Sequence, residues 1–330
     1  MEPGKVLGKI LQGFQPARIL MTANAVDLFD AIADAPATAA EVADRLSLSE
    51  KGALRLLNAL TALGMVSRQG DRFRLIPEFA PYLTAGGAKS MKQWIRLSSD
   101  LMPIWDKLET FVRQGEMVRN TMEMLNQDPE NMRAFIDAMH DKALNAPQSI
   151  ARIIDLSGNR KLLDIGGGPG TYSLELCRIL PGLRATVFEI PPVAEVARDY
   201  TRRYGLEDRV EAVNGDFKTD PLPTGYDLVL IANVLHMYPA ETARALVQKA
   251  AAALEPGGRL IVHGFSTNPD RVSPLEDVIF CLNMGMLTED GNAHSVPEMQ
   301  AWLEDAGFGN IRQDRIEAIP TCVMAGVLPA

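Results

Sequence analysis

The second half of the chain consists of short apolar runs that alternate with longer amphipathic segments. From Lys161 onward, five runs rich in apolar residues have the character of strands: LLDI, ATVFE, VEAV, LVLIAN and RLIVHG. Helical apolar spacing occurs between them, in YSLELCRIL, PPVAEVARDYTRRY and AETARALVQKAAAAL. This alternation predicts a mostly parallel sheet that is covered by helices on both faces. Near the end, AGFGNIRQDRIEAI and CVMAGVL follow one another without a crossover helix, which predicts an antiparallel C-terminal hairpin.

The first part of the chain has the pattern of a small helical domain. Residues 15–33 carry apolar side chains at helical spacing and predict one amphipathic helix. Two further helices are predicted from a capping-box pattern at Thr38 to Glu41 and a capping serine at Ser49. A hairpin with its turn at Gln69-Gly70-Asp71 follows. Helix, turn, helix and hairpin in this order predict a winged-helix domain.

The charge of this winged helix argues against a nucleic-acid partner. Residues 38–80 carry six Lys and Arg against five Asp and Glu, and the whole chain has a formal net charge of -9. A DNA-reading domain normally presents a basic surface, so a DNA-binding regulator remains only as an alternative. The Leu- and Ala-rich surface of the second helix and the apolar first helix favour oligomerisation, and we expect a homodimer through this domain.

Three domains are predicted along the chain. Residues 1–85 form the winged-helix dimerisation domain, residues 86–156 a helical connector that contributes to a substrate pocket, and residues 157–330 the α/β domain. The connector is rich in Met, Trp and Leu at helical spacing. Flexible methionine side chains suit the wall of an adaptable pocket, although they are equally at home in an ordinary core.

Two classes of site are not expected. The longest apolar stretch, residues 228–240, is too short to span a bilayer, and the N-terminus lacks a secretory signal pattern, so we expect a cytoplasmic protein without membrane contact. The cysteines are too widely spaced for a disulfide framework, and the histidines form no ligand pair, so no metal is expected. The cysteines and histidines of the chain are Cys177, Cys281, Cys322, His140, His236, His263 and His294.

The most informative motif is the glycine loop Gly166-Gly167-Gly168-Pro169-Gly170, which follows the buried strand ending in Asp164-Ile165. Glycines allow a ligand to approach the backbone closely and expose amide groups at a helix N-terminus. Glu189 ends the next strand, the position from which a carboxylate binds ribose hydroxyls. The combination indicates a nucleotide or nucleoside site.

The same region disfavours phosphate ligands. A dinucleotide fingerprint would place a third glycine at Thr171, and no lysine of the P-loop type follows. After the third strand, Asp216 is suited to accept a hydrogen bond from an adenine amino group, and Phe217 to pack on the ring. This set of residues predicts a site for adenosine without a pyrophosphate.

At these residues the sequence resembles the S-adenosylmethionine-dependent methyltransferases. Over nearly its whole length it is similar to the O-methyltransferase family with an N-terminal winged-helix dimerisation domain, which includes plant caffeic acid O-methyltransferase and bacterial polyketide and pigment methyltransferases. The resemblance implies a Rossmann-like α/β sheet, S-adenosyl-L-methionine as cofactor and S-adenosyl-L-homocysteine as product. The implied cofactor-binding residues are Asp164, Gly166, Gly168, Glu189, Asp216, Phe217 and Asn233. The family usually has Asp at the ribose position, where Glu189 keeps the charge with a longer reach.

His236 follows the fourth strand, at the sheet edge where ligands of open α/β sheets bind. By resemblance it occupies the position of the family's catalytic histidine and acts as general base on a hydroxyl. The plant members orient this histidine with acidic residues, but this chain has Gly264 and Ala293 at the apparent equivalents. Without a carboxylate partner the histidine is less well oriented and its basicity is not raised.

The predicted function is O-methylation of a small aromatic or polyketide-like acceptor with His236 as base. Because the acids are missing, methylation of carbon or nitrogen without a base is the alternative, and His236 then only lines the pocket. The acceptor-binding candidates are Phe135, Met139 and His140 on the helix before the sheet, and Asn283 and Met284, within an apolar stretch that also holds Cys281, Leu282, Met286 and Leu287.

Overall fold

The computed structural model describes residues 2–120, 128–316 and 321–330. The chain divides into two compact units, Met1–Pro103 and Ile104–Ala330. The helices of the first unit and the start of the second are α1 (Pro3–Gln12), α2 (Phe14–Ala25), α3 (Leu28–Ala33), α4 (Ala39–Leu46), α5 (Glu50–Ala62), α6 (Ala80–Leu83) and α7 (Lys92–Trp105). The strands of the first unit are β1 (Ala37–Thr38), β2 (Val66–Gln69) and β3 (Arg72–Leu75), which form an antiparallel sheet in the order β1-β3-β2.

The first unit contains the helices and the hairpin of the predicted winged helix and extends to Pro103, beyond the predicted boundary at residue 85, and its local signals act as expected. Thr38 Oγ1 accepts a hydrogen bond from the Glu41 amide while the Glu41 carboxylate accepts one from the Thr38 amide, which completes the capping box of α4. Ser49 Oγ accepts from the Gly52 amide and caps α5. The turn at Gly70 has a positive φ of 62°, which glycine adopts without strain, and it joins β2 to β3.

The first long helix differs from the prediction. Residues 15–33 form α2 and α3 instead of one helix, because Asp27 adopts a left-handed conformation with φ of 52°. The break turns α3 so that Leu28, Phe29 and Ile32 are buried in one core with Leu57 and Phe73. An Asp tolerates this conformation better than most residues, and the pattern of apolar residues alone does not reveal it.

The second unit contains the large sheet and its covering helices. Its helices are α8 (Leu108–Gln114), α9 (Pro129–Ala143), α10 (Ala146–Ile153), α11 (Thr171–Ile179), α12 (Pro191–Tyr204), α13 (Ala240–Ala253), α14 (Leu275–Leu287) and α15 (Val296–Asp305). Its strands are β4 (Lys161–Ile165), β5 (Arg184–Glu189), β6 (Val210–Asn214), β7 (Tyr226–Ala232), β8 (Leu254–Gly264), β9 (Gly309–Ile316) and β10 (Thr321–Val327).

The seven strands have the order β6-β5-β4-β7-β8-β10-β9. The first five are parallel, and β10 is antiparallel to both β8 and β9, so the predicted parallel sheet and C-terminal hairpin are confirmed. Consecutive side chains of β7 face opposite sides: Leu228 and Leu230 join one core, and Val229 and Ile231 join the other. Helices therefore cover both faces of the sheet.

The strand order places a crevice beside β4. The chain leaves β4 to form β5 and β6 on one side and then crosses to form β7 and β8 on the other. A ligand site of an open α/β sheet lies where the order reverses, beyond the carboxyl ends of the strands. The glycine loop after β4, Glu189 at the end of β5 and Asn233 after β7 all lie at this edge.

No helix in the described ranges is long and apolar enough to cross a bilayer.

Replacing Thr38 with Ala removes the side-chain half of the capping box of α4. We expect the free energy of unfolding to fall by about 1 kcal/mol, the usual value of an N-cap. The urea midpoint, followed by circular dichroism, measures the change. Thr61→Ala is the matched control, because the Thr61 hydroxyl donates to the Leu57 carbonyl within α5, a bond that adds little to helix stability. Equal midpoints for Thr38→Ala and the wild type would contradict the capping role.

Candidate active site

The glycine loop owes its shape to backbone conformations that glycine adopts readily. Gly166, Gly168 and Gly170 have positive φ values of 64°, 56° and 75°. A Cβ at Gly166 would lie 2.9 Å from Val234 Cγ2, whereas a Cβ at Gly168 would meet only open space. The loop is therefore packed against Val234 on one side, and at Gly168 it has room beside its backbone for a ligand.

Asp164 lies beneath this loop and is fully buried. Its Oδ2 accepts a hydrogen bond of 2.8 Å from Ser173 Oγ, whereas Oδ1 has no partner among the described residues. Burial raises the pKa of Asp164 to about 7, an effect to which the nearby Glu189 adds. A Cβ at Gly167 would lie 2.7 Å from Asp164 Cγ, so a glycine is needed there for the loop to close over the carboxyl group.

Glu189 joins the loop to the next crossover. Its carboxylate accepts hydrogen bonds from the Gly168 amide (3.1 Å) and from the Ile190 amide at the start of α12 (2.8 Å). Burial raises the pKa of Glu189, and these two amide bonds oppose the shift by favouring the charged form. The side chain is thus fixed at the carboxyl end of β5, with oxygen lone pairs left for ligand hydroxyls.

Asp216 and Phe217 form the next part of the crevice. Asp216 Oδ1 accepts a hydrogen bond of 2.9 Å from the Lys218 amide, and the Lys218 ammonium lies 3.7 Å from Oδ2. Phe217 packs edge-on against Tyr238, with ring centroids 5.5 Å apart, and its Cε1 lies 3.8 Å from the position of a Cβ at Gly166. Phe217 is therefore an aromatic surface beside the glycine loop.

These observations fit a nucleoside cofactor that carries an amino acid group. The acidic side chains at the ends of β5 and after β6 suit hydroxyl and amino donors and would repel phosphates. The unpartnered Asp164 oxygen and the open space at Gly168 lie together at the glycine loop. The residues present are thus compatible with S-adenosylmethionine.

A chain of buried hydrogen bonds ends at Asn233. Asn233 Nδ2 donates to the Tyr172 hydroxyl (3.1 Å), which lies 2.9 Å from His263 Nδ1, and His263 Nε2 lies 2.8 Å from Thr321 Oγ1. Burial lowers the pKa of His263 to about 3, so the ring is neutral. One arrangement satisfies every atom: Tyr172 donates to Nδ1, and Nε2–H donates to Thr321. These hydrogen bonds fix the side-chain amide of Asn233. The backbone of Asn233 has a φ of 58°, which is unusual for a residue other than glycine.

His236 lies in a 3₁₀ turn, Leu235–Met237, that follows β7. Its side chain is buried and lines a small cavity together with His263, Phe265 and His294. Burial lowers the pKa of His236 to about 3, and the Lys142 ammonium and the neighbouring His294 and His263 rings add to the effect. The imidazole is therefore neutral at physiological pH, and no hydrogen bond to its ring nitrogens is formed by the described residues.

Three residues that the sequence prediction missed surround His236. The rings of Phe265 and Phe280 are stacked with centroids 3.8 Å apart, and the His236 ring packs edge-on at 4.7 Å from Phe280. Lys142 Nζ lies 4.8 Å from the Phe265 centroid. Helical spacing was the available signal for Lys142, since it shares a face of α9 with the candidates Phe135 and Met139.

The structure separates the predicted acceptor residues. Phe135 and Met139 are half-buried on α9, and Phe135 packs against the core beneath the sheet. His140 turns toward the cofactor side: its Nδ1 lies 2.8 Å from Thr171 Oγ1, and its ring packs on Tyr200. Burial lowers the pKa of His140 to about 4.

The remaining candidates lie on α14. Asn283 is half-buried and Met284 is buried, and Phe280 is one turn away from Met284 on the same side of the helix. Cys281 is half-buried, Leu282 is exposed, and Met286 and Leu287 are buried.

The positions of the missing acids are occupied by small residues in the fold. Gly264 ends β8 and Ala293 is fully buried. His294 Nε2 lies 3.1 Å from the carbonyl oxygens of Leu235 and Tyr238, so it supports the turn that carries His236. In the described ranges, no group of three or more His, Cys, Asp and Glu side chains is arranged to hold a metal ion.

Comparison with known proteins adds independent information. An O-methyltransferase domain model matches residues 105–309, and an O-methyltransferase dimerisation domain model matches residues 9–77. The N,N-dimethyltransferase OxyT of Streptomyces rimosus is 32% identical over 94% of this chain and 92% of its own length. The tetracenomycin polyketide synthesis 8-O-methyl transferase TcmO of Streptomyces glaucescens is 30% identical over 97% of this chain and 95% of its own.

Among solved structures, PigF with S-adenosylhomocysteine, a protein of Serratia, superposes with a TM-score of 0.84 at 28% identity and covers 99% of this chain and 100% of its own. The matched domains, the sequence identity and the sheet topology all indicate the same family. The chain belongs to the S-adenosylmethionine-dependent O-methyltransferase family.

Proposed function

We propose that this enzyme methylates a hydroxyl group of a small aromatic or polyketide-like acceptor, with His236 as the general base. The observation that carries this proposal is the position of His236: its neutral ring lies against the stacked phenyl rings of Phe265 and Phe280 at the edge of the sheet that carries the glycine loop. An aromatic acceptor suits this aromatic wall, and a neutral imidazole has a lone pair for a hydroxyl proton.

The cofactor is held by the residues around the glycine loop. Gly166 and Gly168 lie against the methionine part of the cofactor. Asp164 lies beneath these glycines, with one carboxylate oxygen that has no partner among the described residues. Glu189 binds the ribose hydroxyls, and Asp216 and Phe217 contact the adenine. Asn233, whose side chain is held by its hydrogen bond to Tyr172, faces the same crevice between the cofactor and the acceptor.

The cofactor supplies a methyl group on a sulfonium, which is already a strong electrophile. The protein has to align the acceptor oxygen with that methyl group, exclude water and remove one proton. Phe265, Phe280 and Met284 provide apolar surface for the first two tasks. His236 takes the hydroxyl proton, and general-base catalysis of this kind typically contributes about 10²–10⁴-fold.

The relatives support a hydroxyl acceptor on a polycyclic or aromatic ring. TcmO is named as an 8-O-methyl transferase of polyketide synthesis, and two further relatives are named as 3-O- and 6-O-methyltransferases of a naphthoate and of mitomycin biosynthesis. OxyT, named as an N,N-dimethyltransferase, favours an amine as the second candidate. An amine acceptor attacks the methyl group with its own lone pair and needs no base for that step, which separates the two candidates experimentally.

We further propose that the protein is a homodimer assembled through the first unit. The matched dimerisation domain supports this assembly. Leu7, Leu11 and Phe14 are spaced to share one side of the N-terminal helical segment and are 60%, 73% and 57% exposed in the single chain. An exposed apolar stripe of this kind is typical of a surface that a partner covers.

Glu189→Gln removes the charge that the ribose contact requires while keeping the side chain's size. We expect calorimetry to show about 10- to 100-fold weaker binding of S-adenosylhomocysteine, because hydrogen bonds to a charged group contribute about 1.5–3 kcal/mol. Glu195→Gln is the matched control, since Glu195 is exposed on α12 and pairs with Arg198. Unchanged affinity of Glu189→Gln would exclude the ribose contact.

His236→Gln keeps a polar side chain in the cavity but removes the base. We expect kcat for a hydroxyl acceptor, found by mass detection of the methylated product, to fall about 10²–10⁴-fold with unchanged cofactor affinity. Because the pKa of His236 is about 3, lowering the pH from 7.5 to 6 does not protonate it and does not mimic the substitution. Near-normal turnover of this hydroxyl acceptor by the variant would contradict the role of His236 as general base.

A double substitution, Leu7→Glu with Leu11→Glu, places charge on the exposed stripe of α1. We expect light scattering to give about twice the 36.0 kDa chain mass for the wild type and a shift toward the single chain for this variant. Lys5→Glu with Lys9→Glu introduces the same two carboxylates, by reversing the charge, on the opposite side of the same helix and serves as control. A wild-type mass of one chain at micromolar concentration would rule out the dimer.

A further inference from the structure

We propose that the Lys142 ammonium binds the reacting oxygen of the acceptor and stabilises it as an anion beside His236. The acceptor is then ionised between an ammonium and an imidazole, without the carboxylate–imidazole pair of the plant relatives. This inference rests on the proposed methylation of a hydroxyl group. It assigns to Lys142 a direct role in catalysis and restricts the acceptor to an aromatic hydroxyl.

Lys142 is on the side of α9 that carries two acceptor candidates. Phe135, Met139 and Lys142 are spaced by four and three residues, so they lie on one face of the helix. The ammonium nitrogen lies 4.8 Å from the centroid of Phe265 and 5.7 Å from that of Phe280, within the range of cation–π contact. Lys142 therefore lies on the aromatic pair, of which Phe265 borders the cavity.

His236 approaches this aromatic pair as well. Its ring centroid is 4.7 Å from Phe280 and 6.2 Å from Phe265, and both contacts are edge-on. His236 and Phe265 line the same cavity. An ammonium and an imidazole thus converge on two stacked phenyl rings that come from the end of β8 and from α14.

The Lys142 ammonium makes the electrostatic surroundings of His236 positive. Besides burial, Lys142, His294 and His263 lower its pKa, and the Lys142 charge also lowers that of His263. Burial lowers the pKa of Lys142 itself to about 8, so the ammonium remains mostly protonated at neutral pH. In the empty cavity, the charge of Lys142 disfavours protonation of His236. An oxyanion placed between the two groups reverses the effect, because it attracts both.

The step balances with the groups present. The hydroxyl proton passes to a ring nitrogen of His236, while the oxygen forms a bond to the methyl carbon. The methyl–sulfur bond breaks and its electron pair remains on sulfur, which becomes the neutral thioether of S-adenosylhomocysteine. The imidazolium later returns its proton to water, and Lys142 keeps its proton throughout as a donor to the oxygen.

This arrangement favours an aromatic hydroxyl over an alkyl one. A phenol ionises with a pKa of about 10, within reach of stabilisation by one ammonium and one imidazole. The stacked rings of Phe265 and Phe280 offer a flat apolar contact for the acceptor's own ring. The inferred substrate class is therefore a phenol, naphthol or larger hydroxyarene.

The experiment measures the ionisation of a bound probe in the presence of S-adenosylhomocysteine, where no turnover occurs. The probe is para-nitrophenol, whose phenolate absorbs visible light. We expect the wild type to bind the phenolate and to lower the apparent pKa of the bound probe. Lys142→Met should weaken phenolate binding about 10- to 100-fold, the usual value of a hydrogen bond to a charged group, and Lys142→Arg should retain part of it.

Controls separate this role from packing. Lys51→Met, at an exposed position on α5, should bind the probe like the wild type. Calorimetry with S-adenosylhomocysteine should give equal affinities for all variants, which shows that the cofactor site is intact. The same probe ionisation and affinity in Lys142→Met and wild type, or a wild type that does not bind the phenolate, would overturn the inference.

An acceptor screen with the wild type decides the proposed function separately. If only amines or carbon acceptors are methylated, hydroxyl methylation fails whatever the probe shows. With a hydroxyl acceptor in hand, Lys142→Met should lower kcat most for the least acidic members of a substituted phenol series. An equal loss for every member would indicate a packing role and would overturn the role of Lys142.

Discussion

The turn from β4 into α11 is the constraint on which the site depends. Three residues of this turn have positive φ angles, and each is a glycine, so the chain can double back over Asp164 within a few residues. The turn brings the Gly168 amide to Glu189 at the end of the neighbouring strand. A side chain at Gly167 would collide with Asp164, and one at Gly166 would collide with Val234. The cofactor crevice is therefore built by backbone geometry before any cofactor contact is made.

On the other side of the crevice, orientation comes from buried polar contacts. Tyr172 lies in the first turn of α11, two residues after Gly170, and its hydroxyl connects Asn233 on one side with His263 on the other. His263 in turn reaches Thr321 on the antiparallel strand β10. Such a chain is costly if one member is lost, because each buried group is left without its partner. The C-terminal hairpin thus helps to hold Asn233, a residue that we propose for the cofactor site.

The sequence allowed the strand–helix alternation, the hairpin and the helix caps of the first unit to be predicted, because each depends on neighbours along the chain. The position of His236 just after β7, at the carboxyl edge of the sheet, followed from the topology in the same way. The cluster of Lys142, Phe265 and Phe280 could not be predicted, since its members come from α9, the end of β8 and α14 and meet only in the folded sheet. For the same reason, the contact of His140 with Thr171 could not be predicted from the residue spacing on α9.

The energy of proton transfer explains why a histidine without an acidic partner needs a second group. A phenol has a pKa of about 10, and the pKa of His236 in the empty cavity is about 3. A gap of about seven pKa units corresponds to roughly 10 kcal/mol, more than the gain of general-base catalysis alone. About half of that gap arises because burial and neighbouring positive charge oppose the imidazolium and hold the pKa of His236 below its ordinary value of about 6.5. An oxyanion between His236 and Lys142 removes this opposition, so the charge that makes His236 a weak base in the empty site stabilises the ionised acceptor in the occupied one.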